Sequence, residues 1–489
     1  MKSLSIITLI AILTSCETRE SSQKVSESSD KKFRPVYHFT PPSQWMNDPN
    51  GMVYYDGEYH LFYQHYPDSN VWGPMHWGHT VSTDLVSWEH LPIALYPDEL
   101  GYIFSGSAVI DHENTSGLGS SENPPMIAIY TYHEPIGAKN KEIDYQTQGI
   151  AYSLDKGRTW TKYQENPVLA NPGIRDFRDP KVSWMPEFEK WVMILAVKDH
   201  VNIYSSPDLK TWTKESEFGH EIGAHGGVWE CPDLFKLTDQ NGTEKWVMLV
   251  SINPGGPLGG SATQYFVGAF DGTTFTLSDE ETRWIDHGTD NYAGVTWSNI
   301  PEQDGRRLFL GWMSNWQYAN IVPTYEWRSA MTVPRELILR DTERGYEVHS
   351  KPVDELVKLE KQTVQPGSPE IREQVYLLTL ETEPGKDFEC TISNDLNEQV
   401  TIAFENGIFS FDRSKSGITD FEEGFGVKHE VDFSDLSIEK VKVYVDKASM
   451  EIFINDGQRV MTEIIFPNEP LVKINTSGAI KNAEVILLQ

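Results

Sequence analysis

From residue 33 to about residue 350, apolar residues almost never recur at the three- and four-residue spacing of a helix. Short runs instead alternate apolar and polar positions, or gather β-branched and aromatic side chains, at 52–55, 59–64, 191–197, 246–252 and 307–312. Each run is bounded by Gly, Pro, Asp or Asn, the pattern of short strands joined by turns. An all-β domain is expected. A weak repeat runs through it. Ser82-x-Asp84 precedes Trp88, Ser153-x-Asp155 precedes Trp160, Ser206-x-Asp208 precedes Trp212, and a degenerate copy sets Asp271-Gly272 before Phe275. In each copy the Asp is expected in a turn between two strands. Copies about 50–70 residues apart suit one four-stranded sheet per unit, repeated radially as a β-propeller. About 320 residues at that period make roughly five blades.

After a connector at 351–372, strand-like runs return at 375–380, 388–393, 399–404, 441–445 and 450–454, with a turn at Asn455-Asp456-Gly457. Their alternation and spacing predict a β-sandwich over 373–489. It carries no catalytic constellation, so packing is its expected role, with carbohydrate contact the alternative. At the other end, Lys2, an apolar run at 4–13 and the small residues before Cys16 read as a secretory signal over 1–16. That run is too short to span a bilayer. Leu13-Thr14-Ser15-Cys16 resembles the processing box of bacterial lipoproteins, which implies a lipid on Cys16 and a place in the cell envelope. Residues 17–32 are Ser, Glu, Lys and Asp with almost nothing apolar, which suits a flexible tether.

Composition narrows the partners. The chain of 489 residues holds 41 basic and 72 acidic side chains, a formal charge of -31, so it lacks the basic face that phosphate binding needs. Fifteen tryptophans fill β cores, and such rings also meet the C–H faces of sugars. Three cysteines make no disulfide framework; Cys231 and Cys390 are expected to be free. His76 and His79 have a suggestive spacing, but no further ligands complete a metal set.

Three acidic motifs carry candidate chemistry. The first is Trp45-Met46-Asn47-Asp48-Pro49-Asn50-Gly51, where proline should hold Asp48 extended between two carboxamides. Alone it reads as an Asx-type turn. The second is Phe177-Arg178-Asp179-Pro180, with Asp179 expected extended for the same reason. The third is Trp229-Glu230-Cys231-Pro232-Asp233. They fall in different repeats, and the innermost strands of a propeller converge on one axis. Glycoside hydrolysis needs two carboxylates facing each other across the scissile bond, one ionised and one holding a proton. Amides beside Asp48 favour its charged form, and the apolar neighbours of Glu230 favour a proton there.

Together with Phe104-Ser105-Gly106-Ser107, the run from Gly311 to Trp316, and the residues Trp327-Arg328 and Pro334-Arg335-Glu336-Leu337, these motifs resemble glycoside hydrolase family 32, the β-fructosidases. The resemblance covers nearly the whole mature chain. It implies a five-bladed propeller followed by a sandwich, and a retaining mechanism without metal or other cofactor. By that likeness Asp48 is the nucleophile, Glu230 the general acid/base and Asp179 the transition-state stabiliser, helped by Arg178. Asn47, Gln64, Trp72, Phe104, Ser105 and Trp312 match positions lining the fructosyl pocket. Stretches around Asn253 and Gly260 and from Gly311 to Tyr318 look most like exo-acting levanases and inulinases, so this chain is expected to act on levan, inulin or sucrose, as a monomer. Asn291 departs from the pattern, since relatives often carry an aromatic there. An endo-levanase, a fructan-building transferase and a non-catalytic fructan-binding lipoprotein remain the alternatives.

Overall fold

The computed structural model describes residues 32–489; the expected signal, Cys16 and nearly all of the expected tether lie outside the described residues. Between Gln44 and Pro352 the chain forms five successive antiparallel sheets. Their first strands are Gln44–Tyr55, Tyr102–Ile110, Phe177–Met185, Val228–Thr238 and Tyr292–Thr296. Each of these touches the first strand of the next sheet, and the fifth touches the first again, so the sheets stand radially as a β-propeller. The ring is tied shut by Trp327–Arg328, which leaves the fifth unit and pairs in parallel with Gln44 and Trp45 of the first sheet.

The period-two pattern explains the stacking. In the strand Lys190–Val197, Val192 and Ile194 face the fourth sheet and pack with Met248 and Val250. Trp191, Met193 and Leu195 face the second sheet and pack with Ile127 and Ile129. A blade buried on both faces therefore reads as a continuous apolar run. Truncating one such side chain to Ala costs about 2–5 kcal/mol.

The sequence repeat is the turn from the third to the fourth strand. Asp84, Asp155, Asp208 and Asp271 each accept main-chain N–H groups from residues two to four further on, at 2.7–3.0 Å. Asp155 and Asp208 are closed off by Trp160 and Trp212, whose indole N–H groups bond Gly157 O and Leu209 O.

Two further sheets form the sandwich. Leu378, Leu380, Val443 and Ile452 of one meet Ile402 and Phe404 of the other. The stretch expected as a connector is structured here. Asp354–Leu359 is a 3-10 turn, and Glu360–Val364 is an edge strand paired with Ile480–Leu488. The sheet nearer the propeller turns Leu377, Tyr444 and Phe453 toward it. Between them lies a buried ionic network. Arg335 Nη1 sits 2.9 Å from Asp286 and Nη2 contacts Glu451, while His38 bonds Asp446 at 2.9 Å and Glu451 at 2.8 Å. Arg413 of the sandwich reaches Asp290 at 2.8 Å and Glu463 at 3.1 Å. The two domains are held in register by charges that neither could bury alone.

Candidate active site

A cavity of about 350 Å³ opens at one end of the propeller. It is lined by Asn47, Asp48, Gln64, Trp72, Phe104, Ser105, Arg178, Asp179 and Glu230, nine of the ten positions expected to catalyse or bind. The strands deliver them through a shared defect. On every first strand two residues oppose a single partner. Asn47 and Asp48 face Gln64; Phe104 and Ser105 face Thr131; Asp179 and Pro180 face Leu195; Cys231 and Pro232 face Val250; Ala293 and Gly294 face Gly311. A bulge of this kind bends the strand and re-aims side chains. It is also where a sheet tolerates proline, which explains Pro180 and Pro232. Three of the bulges hold non-glycine residues at positive φ: Asp179 at 65°, Cys231 at 45° and Ala293 at 53°. Asp179 is therefore not extended as its proline suggested; the bulge overrides the local preference.

Each carboxylate has its own surroundings. Asp48 accepts from Ser105 Oγ at 2.7 Å and Asn47 Nδ2 at 2.9 Å. Asn47 is aligned in turn by the Trp45 indole N–H at 2.7 Å. Asn50 reaches only the main-chain oxygen of Asp48, at 3.4 Å, so one expected amide partner is absent from the carboxylate. Asp179 is buried, accepts the Cys231 N–H at 3.1 Å, and lies 3.9 Å from Arg178 Nε. The Cys231 thiol points between Asp48 and Asp179, at 3.5 and 3.7 Å. Glu230 accepts from Arg178 Nη2 at 2.8 Å and from the Tyr292 hydroxyl. Its surroundings are thus polar, contrary to the apolar company its sequence neighbours implied. Trp229 turns away into the fourth sheet's core against Phe266.

Charge dominates this space. Asp176, Asp179 and Glu230 share the Arg178 guanidinium, which bonds Asp176 at 2.9 Å as well as Glu230, and Asp48 lines the same cavity. Burial, then the charge of Glu230, raises the pKa of Asp48; Ser105 and Asn47 oppose that rise. Asp179 is pushed up to about 7 by burial and by the charges of Glu230 and Asp48, against the pull of Arg178. Burial and the same carboxylates hold the Cys231 thiol protonated.

Trp312 does not line the cavity. It is fully buried one layer behind, against Trp45, Tyr292 and Trp316, and Trp316 forms the wall instead. Asn291 is likewise buried, donating to Asp286 at 3.1 Å, and touches the domain interface rather than the cavity. His76 and His79 share no ligand set: His76 bonds Pro74 O, and His79 pairs with His60 at 3.1 Å. The cavity also includes His133, Tyr145, Gln146, Asp176 and Asn320, which sequence reasoning missed, and Asn253, which in the sequence marked only a branch of the family. Asp176, two residues before Arg178, had a local signal; His133, stacked 4.2 Å from Phe104, had none.

Facing carboxylates at the end of a polar, aromatic-rimmed cavity, on a propeller backed by a sandwich, are the equipment of a glycoside hydrolase. Residues 38–352 match the N-terminal domain of glycosyl hydrolases family 32, and residues 346–486 match that family's C-terminal region. The chain belongs to this family. It is 48% identical to a levanase of Bacillus subtilis, over 95% of this chain and 71% of that one. It is 38% identical to an extracellular exo-inulinase of Aspergillus niger, over 93% and 94% of the two chains. The crystal structure of an exo-inulinase from Aspergillus awamori superposes with a TM-score of 0.85 at 34% identity, covering 94% and 99%.

Proposed function

We propose that this chain is a retaining, exo-acting β-fructosidase that releases fructose from levan, inulin or sucrose. The observation that carries the reading is the convergence of Asp48, Asp179 and Glu230 in one cavity, each with different partners. Asp48, aligned by Ser105 and Asn47, attacks the anomeric carbon of the terminal fructosyl unit. Glu230, on the Arg178 side, gives a proton to the leaving oxygen and later takes one from the attacking water. Asp179 accepts hydrogen bonds from ring hydroxyls as positive charge builds on the sugar. Beneath the carboxylates, Trp45, Cys231, Tyr292 and Trp312 are buried, so the cavity ends on a packed floor. A floor of that kind suits a chain end better than a continuous polymer. The similarity to levanase and exo-inulinase points the same way.

The test is an early product profile on levan, inulin and sucrose, with Asp48→Asn and Glu230→Gln beside the wild type. Fructose as the first product supports exo action, and early oligosaccharides refute it. Each variant should lose at least about a hundredfold in turnover while folding normally. Turnover within tenfold of wild type in either one removes the assigned roles.

A further inference from the structure

On the third sheet, Asn202 is opposite Glu217 and Val201 opposite Phe218. The hairpin that begins at His200 therefore runs beside the turn after Phe218, and His200, Glu217 and His220 come together. Each offers one nitrogen or carboxylate oxygen, and the three atoms lie within 4.8 Å of one another. The two imidazoles stack at 4.0 Å. Glu217 Oε2 already contacts His220 Nε2 at 2.7 Å, while Lys214 holds its other oxygen.

A second observation concerns the other nitrogen of His200, which faces a carboxylate. His200 is only 8% exposed, yet its Nδ1 has no hydrogen-bond partner. Asp199 Oδ1 stands 3.7 Å from that Nδ1, just beyond bonding distance. Metal-bound histidines use this arrangement: one nitrogen takes the ion, and the other donates to a carboxylate.

We infer that His200, Glu217 and His220 form a binding site for one divalent cation of the zinc class. Two imidazoles and one carboxylate suit Zn²⁺, whereas Ca²⁺ and Mg²⁺ take oxygen ligands. His200 is the fixed ligand, acting through Nε2 with its Nδ1–H on Asp199. Glu217 and His220, with side chains 39% and 52% exposed, swing in to meet the ion. Water completes the coordination. The site takes no part in the fructosyl chemistry and lies behind its wall. Gly219, at φ 108°, presses its turn on the Trp229 ring, and the Trp229 N–H bonds Lys198 O at 2.6 Å. An ion here braces the two segments that support the strand carrying Glu230.

The test is calorimetric titration of ZnCl₂ into the EDTA-treated full chain, purified without a polyhistidine tag. One saturable equivalent is expected, with a higher Tm at saturation. His220→Ala and Glu217→Gln should each weaken binding by roughly tenfold or more and abolish the Tm gain, with zinc-free sucrose hydrolysis unchanged. No saturable binding to the wild type overturns the proposal, and so does wild-type binding by both variants. Tighter binding of CaCl₂ than of ZnCl₂ overturns the assigned class of ion.

Discussion

His38 is the sharpest probe of how the two domains are joined. Its ring is fully buried, with Nδ1 on Asp446 and Nε2 on Glu451, so both nitrogens face carboxylates and the imidazole holds two protons. Burial alone would lower its pKa, but the hydrogen bonds and charges of Asp446 and Glu451 raise it from 6.5 to about 9. At ~1.4 kcal/mol per pH unit, the bound proton contributes about 3 kcal/mol. Because the folded-state pKa lies above the unfolded one, that stability is fully present below pH 6.5 and is lost as the pH rises through 9. With an unfolding entropy of roughly 1 kcal/mol/K for a chain of this size, about 3 kcal/mol corresponds to about 3 °C in Tm. His38→Gln removes the titration and keeps a neutral hydrogen-bonding side chain. Scanning calorimetry of both proteins between pH 6 and 9.5 should show wild type ahead by about 3 °C at the acid end. The two should converge near pH 9.5. A difference that stays constant across this range would refute the claim that His38 is held as an imidazolium.

Three further outcomes follow from the site and from the lipid expected on Cys16. Asp179→Asn should abolish turnover yet raise Tm at pH 8 by a few degrees, because a carboxyl pushed up to about 7 destabilises the fold once it ionises. Below pH 4 the Tm difference should vanish, and a variant less stable than wild type at pH 8 contradicts this. Ser105→Ala removes the 2.7 Å donor to Asp48, so kcat/KM should fall roughly 10- to 100-fold and the acid limb of its pH profile should move upward. An unmoved limb would mean that Asp48 does not govern it. Cys16→Ser should shift the protein from the membrane fraction to the soluble fraction and stop incorporation of labelled fatty acid; unchanged fractionation removes the proposed lipid anchor.

Much of this architecture was legible because it rests on local rules. Alternating runs bounded by turn residues gave the strands, and Asp84, Asp155 and Asp208 gave the repeat, since each builds its turn from its own side chain. What failed depends on partners distant in the chain. Nothing near Glu230 in sequence announces Arg178 or Tyr292, so its neighbours Trp229 and Pro232 suggested the wrong environment. Trp312 sits within a suggestive run, but it alternates into the core. The ionic interface was invisible for the same reason: Asp286 and Arg335 are ordinary residues until Glu451 is placed beside them.

One sequence signal carried more than it first showed. A proline inside a strand costs a ladder hydrogen bond, so in a multi-stranded sheet it marks a bulge. Asp179-Pro180 and Cys231-Pro232 are two such marks, and Asn47-Asp48 before Pro49 adjoins a third. The bulges turn these side chains out of the pleat toward the axis, which a regular strand cannot do for two consecutive residues. Asp179 and Cys231 pay for this with positive φ, and the packed blades on either side supply the stability that holds the strain. The proline and the carboxylate are thus one device. Relaxing a bulge should cost activity before stability, because the core of each blade would keep its alternation while the acids lose their common focus.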